Sequence, residues 1–212
     1  MLEFELAQCL MNGKDHTEEN MQCILRQAEQ DRSVLAKPLS DKELEVYPVR
    51  IAVRRAATEL LPAERDDYGD YAAFFMQELQ AKANTIGVIC GAERAENLRT
   101  DIYAVSQGFF GDVQLIGGIA ASEGVFLELA RRCSGETFSS VDALAFDSVQ
   151  ELLNVIHGMY AIALAQKGVL VDLGLPRSGR RILATASRQL YLKVLTSYGS
   201  FSLVLAADEF VE

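Results

Sequence analysis

Two hydrophobic periods run along this chain. Apolar residues recurring every three or four positions predict amphipathic helices, and short apolar runs between turn residues predict strands. The helical period is clearest after Asp147. At about 100° per residue, Val149, Leu152, Leu153, Ile156, Tyr160 and Ala163 share one side of a helix. Asp147, Glu151, Asn154 and Gly158 share the opposite side, at spacings of four, three and four. One face is therefore a core stripe, and the other carries acids, an amide and a bare glycine. Ser139-x-x-Asp142 opens this helix, Asp147-x-x-Gln150 has the residues to cap a restart, and Lys167-Gly168 closes it near Gln166.

The remaining pattern divides the chain in two. Residues 1–65 read as a helical extension, with helices over Thr17–Gln30 and about Ser40–Leu61, the second bent or restarted near Pro48. The polar stretch Pro62–Asp67 reads as a linker into a domain spanning 66–212. Asp70 to about Cys90 is predicted as one long helix with Phe74, Phe75, Leu79, Ala83 and Ile86 as its stripe. Strands follow at Thr100–Ser106 and Asp112–Ile119, joined by the glycine-rich turn Gln107–Gly111. Gly117-Gly118 reads as flexibility at a strand end. A helix over Ala120–Arg132 buries Val125, Phe126, Leu129 and Ala130 and stops at Gly135. Val169–Leu175 is a strand, Arg177–Arg181 a solvated loop, and Leu190–Leu195 with Phe201–Ala206 a second hairpin. Helix plus hairpin occurs twice, a pseudo-repeat. The predicted class is α+β: an antiparallel sheet built from two helix–hairpin pseudo-repeats, with long helices on one face and the N-terminal helical extension added.

Composition narrows the function. The net charge of −10 opposes binding to nucleic acid or to an anionic membrane surface. Half the residues are hydrophobic, enough for a real core. The longest apolar stretch, Val155–Leu175, is broken by His157, Gln166, Lys167 and Asp172, and the acidic N-terminus lacks the basic start of a signal peptide. The expectation is a cytoplasmic protein with a protein partner or a small ligand. Cys9, Cys23, Cys90 and Cys133 form no C-x-x-C pair, and only His16 and His157 could assist them. They read as reduced structural thiols, with no metal site.

The residues that carry chemistry lie on the polar face of the Asp147 helix. Glu151 and Asn154, three apart, project from one side. An amide both donates to and accepts from water, so it can orient a nucleophile without titrating. A carboxylate one turn away makes a charge-assisted contact to an ammonium group.

The run Asp147-x-x-x-Glu151-x-x-Asn154, followed after 21 residues by Pro176, resembles the signature of the CheC/CheX chemotaxis phosphatases. Gly158, four residues after the asparagine, matches the same family. The interval to Pro176 is slightly shorter than the family's. The resemblance covers about residues 68–207. CheX-type members carry the motif once and most CheC-type members twice. Here the earlier helix has Glu78 followed by Ala81, so the first copy looks degenerate and the chain is similar to CheX.

The resemblance implies a phosphatase acting on a phosphorylated CheY-type response-regulator receiver. Asn154 would hold the attacking water in line with the aspartyl phosphate, and Glu151 would pair with the receiver's lysine. Asp147, Gly158 and His157 would line the docking face, Asp147 as a helix cap or site-edge residue and His157 in a rim or packing role. No cofactor is implied in this chain, because the Mg²⁺ belongs to the receiver. A homodimer is implied by the likeness to CheX. The alternative on the same fold is an adaptor that binds a receiver or a flagellar-switch partner without hydrolysis.

Overall fold

The computed structural model describes residues 66–93, 102–180 and 189–206. The two predicted N-terminal helices and the division near residue 65 lie outside the described residues, as do Cys9, Cys23 and His16. Three helices, α1 (Asp66–Ala83), α2 (Glu123–Ser134) and α3 (Ala143–Ala165), pack on one face of a seven-stranded sheet. The strands are β1 (Gly87–Glu93), β2 (Tyr103–Gly111), β3 (Leu115–Ala121), β4 (Val171–Leu173), β5 (Arg177–Arg180), β6 (Gln189–Thr196) and β7 (Gly199–Ala206). All pairings are antiparallel, in the order β1-β6-β7-β3-β2-β4, with β5 also on β2. The α+β class and the helix-covered antiparallel sheet are as predicted.

The two hairpins lie side by side, β3 pairing β7 at the centre (Ile119↔Leu203). The strand after each long helix crosses over to the other unit's hairpin. β1 follows α1 but pairs β6, and β4 follows α3 but pairs β2. The pseudo-repeat therefore interlocks. Alternation places Val105 and Phe109 of β2, Leu115 and Ile119 of β3, and Leu203 and Leu205 of β7 against the helices. A smaller cluster on the opposite face holds Ala104, Ala120, Tyr191 and Val204.

Helix α3 is the spine of the core. Asp142 caps it, its carboxylate accepting from the Ala145 backbone N–H at 2.9 Å. Val149, Leu153 and Ile156 are wholly buried, each stabilising the fold by roughly 1.5–3 kcal/mol. The helix is continuous through Asp147, so no restart occurs there.

Several predicted boundaries differ. Helix α1 ends at Ala83 rather than near Cys90, because Asn84 takes a left-handed conformation (φ 43°). The β-branched Val88 and Ile89 then pair as strand with Leu195 and Val194. Gln107–Gly111 is strand, not turn: β2 runs to Gly111 with neighbours on both sides, and the bend falls at 112–114. Arg177–Arg180 is strand rather than loop, since the free edge of β2 supplies a ladder the local composition does not announce. Gly117 and Gly118 lie in the middle of β3, not at its end, and Ala120 and Ala121 close that strand rather than opening the helix.

Candidate functional site

The core stripe of α3 turns its opposite face to solvent. Asp147, Glu151 and Asn154 are exposed. Three residues of helix separate Glu151 and Asn154 by about 4.5 Å along the axis. Gly158 is half-buried, yet nothing lies within 4 Å of where its Cβ would stand. No internal contact demands a glycine there. On the far side of Glu151 a groove of about 370 Å³ runs between α3 and the ends of α1 and α2. Asp147, Glu151 and Val155 form part of its lining, with Lys82 and Cys133 contributed by the other helices.

His157 does not line the docking face. Helical geometry put it at the edge of that face, in a rim or packing role, and the role is packing: it is fully buried and lines no exposed surface. Its ring packs against Phe109 at 4.5 Å between centroids, with Tyr71 at 5.5 Å. Nε2 lies 2.6 Å from the Tyr71 hydroxyl, and Nδ1 lies 2.9 Å from Gln107 Oε1. Burial pushes the imidazole down from 6.5 to about 3, so the ring is neutral. The same burial, with Tyr160 alongside, holds the Tyr71 phenol well above its ordinary value.

Gln107 joins this buried pair to the surface. Its Nε2 donates to Asn154 Oδ1 at 3.0 Å and to the Gly174 carbonyl at 2.9 Å. Gly174 is itself held by its N–H on the Gly108 carbonyl. A backbone carbonyl only accepts, so the nitrogen of Gln107 must face Gly174 and its oxygen must face His157. Nδ1 of His157 then carries the proton, and Nε2 accepts from the Tyr71 hydroxyl. Five chain segments converge here: α1, β2, β3, α3 and the loop after β4. Gly117 stands across from Gln107 on β3, and a Cβ there would collide with the Tyr71 hydroxyl and His157 Nε2.

Tyr71, Gln107 and Gly117 were not predicted as site residues. Tyr71 was assigned no role, and Gln107 was read as part of a turn. The one available signal was a polar residue at an inward position of β2, visible only once the strand's extent is known. Glu78 of α1 is buried, unlike Glu151. Among the described residues no group of His, Cys, Asp and Glu could hold a metal, and no helix is long and apolar enough to cross a membrane. Cys133 is a free thiol pushed up to about 12 by burial, a structural rather than a reactive cysteine. The Cys90 side chain is outside the described residues.

No family model matches this sequence, and no curated protein matches it. Solved structures do. The chemotaxis protein CheX of Vibrio vulnificus superposes with a TM-score of 0.55 at 19% identity, over 68% of this chain and 97% of that one. The CheX of the CheX–CheY–BeF3–Mg²⁺ complex from Borrelia burgdorferi gives 0.54 at 16% identity, over 69% and 100%. A CheC-like protein from a Shewanella species gives 0.53 at 18% identity, over 67% and 97%. By these superpositions the chain has the fold of the CheX and CheC-like chemotaxis proteins.

Proposed function

We propose that this protein is a phosphatase of a phosphorylated CheY-type receiver, acting through Asn154 and Glu151. The observation that carries the reading is an exposed acid–amide pair on a helix whose reverse side is anchored in the core. The Borrelia CheX of the same fold was solved in complex with CheY, which supports a receiver as the partner here. In the proposed reaction α3 docks over the receiver's acyl phosphate. Glu151 makes a charge-assisted contact to a receiver lysine and fixes the docking. Asn154 holds a water in line with the phosphorus, and the open space at Gly158 admits the receiver's loops. The leaving carboxylate and the Mg²⁺ belong to the receiver, so this chain supplies position rather than a metal or a base. Asp147 lies at the edge of the same face, and a homodimer completes the proposal.

The test follows phosphate loss from a CheY-type receiver phosphorylated with acetyl phosphate. Asn154→Ala should lower kcat by about two orders of magnitude, as loss of a positioning group does, with the fold intact by circular dichroism. Glu151→Ala should raise KM by about tenfold, as loss of a charge-assisted hydrogen bond does. Equal rates for Asn154→Ala and wild type would overturn the reading. Tight receiver binding without hydrolysis by wild type would establish the adaptor alternative.

A further inference from the structure

We propose that Tyr71, His157 and Gln107 form a one-directional hydrogen-bond chain that fixes the Asn154 side chain with its NH₂ group outward, which makes Gln107 a positioning residue of the site. The direction follows from its anchor. The Gly174 carbonyl accepts from Gln107 Nε2 at 2.9 Å, so the same nitrogen presents a hydrogen to Asn154 Oδ1 at 3.0 Å. Asn154 must therefore offer its oxygen inward and its nitrogen to solvent. At the other end Gln107 Oε1 accepts from His157 Nδ1–H at 2.9 Å, and Nε2 accepts from the Tyr71 hydroxyl at 2.6 Å. The run reads Tyr71 O–H to His157, His157 N–H to Gln107, Gln107 N–H to Asn154.

Each link is protected. Tyr71, Gln107 and His157 are buried. The ring is wedged between Phe109 and Tyr71. The bare Cα of Gly117 leaves the space in which the tyrosine and histidine meet. A buried chain with every member satisfied resists rotation, because reversing one amide would set two acceptors or two donors against each other. Asparagine on an open helix face ordinarily samples both amide orientations. Here one is selected before any partner arrives. Resting on the phosphatase reading, the consequence is specific: Asn154 grips the attacking water as a donor, leaving the water's own hydrogens for acceptors on the partner.

The tests separate this inference from that reading. In the full-length wild-type chain, ¹⁵N NMR of His157 should show the Nδ1–H tautomer; the Nε2–H tautomer would reverse the run and overturn the proposal. Gln107→Met keeps the volume and removes all three side-chain hydrogen bonds, to Asn154, Gly174 and His157. It should lower kcat toward an acetyl-phosphate-charged receiver by at least about tenfold, leave KM within about twofold, and loosen the Asn154 side-chain NH₂ in ¹⁵N relaxation. An unchanged kcat with an equally ordered NH₂ would sink it. Should wild type hydrolyse no receiver, the phosphatase reading falls, and the order of the Asn154 NH₂ in wild type against Gln107→Met alone decides the positioning claim. Should Gln107→Met fail to fold, the tautomer decides it.

Discussion

The His157 imidazole titrates far below an exposed histidine, and acid stability should record it. Its pKa is about 3 in the folded chain and near 6.5 once unfolded. Between those values the unfolded chain binds a proton that the native chain refuses. Stability therefore falls as pH drops from 6.5 to about 3, by up to about 1.4 kcal/mol per pH unit from this group. Above 6.5 the contribution is constant. His157→Gln should be less stable at pH 7, since it breaks part of a satisfied buried chain, by about 1–3 kcal/mol. It should also lose this slope, so that the two denaturant-derived stability curves converge toward low pH. Parallel curves would contradict a neutral buried imidazole. Sequence periodicity placed His157 at the edge of the polar face. Its inward turn depends on Tyr71, Gln107 and Gly117, three residues on other elements.

Helix α3 shows how a single element serves two demands. One side holds Val149, Leu153 and Ile156 in the core, and the other keeps Glu151 and Asn154 in solvent. Gly158 separates the demands cleanly. Its Cβ position is empty, so Gly158→Ala should raise stability by roughly 0.5–1 kcal/mol through helix propensity. The added methyl group stands on the proposed docking face and should raise KM for the receiver. A variant that is more stable and binds equally well would show that the glycine has no part in docking. The helix was legible in the sequence because its period is long and its Asp142 cap is strong. The end of α1 was less legible. A stripe through Ile86 continues the helical spacing, and the left-handed turn at Asn84 leaves no unambiguous mark.

The sheet as a whole makes the two pseudo-repeats dependent on each other. Among the described residues β1 pairs only with β6, and β4 only with β2, so each half lends a strand to the other. A fragment covering residues 66–121 has α1 and β1–β3 but lacks the partners of β1 and the central contact of β3 with β7. It should remain largely unfolded by circular dichroism and amide exchange, and should fold on mixing with the complementary fragment 122–212. Independent folding of 66–121 would show that the interlock is dispensable. The same arrangement brings the first unit's Gln107 beneath the second unit's Asn154.

Local chemistry was sufficient to read the acid–amide face of α3, the helix stop at Gly135, the second hairpin and the α+β class, because periodicity and turn residues are recorded within a few positions. It was sufficient also for the resemblance on which the proposed roles of Glu151 and Asn154 rest. It could not read β5, since Arg177–Arg180 becomes strand only through the hydrogen bonds that β2 offers. Nor could it read the support beneath Asn154. Tyr71 and His157 are 86 positions apart and Gln107 and Asn154 are 47 apart. Each is unremarkable in its own segment. Only the packing of α1 and α3 over β2 and β3 removes water from between them, and removal of water is what makes the direction of their hydrogen bonds matter.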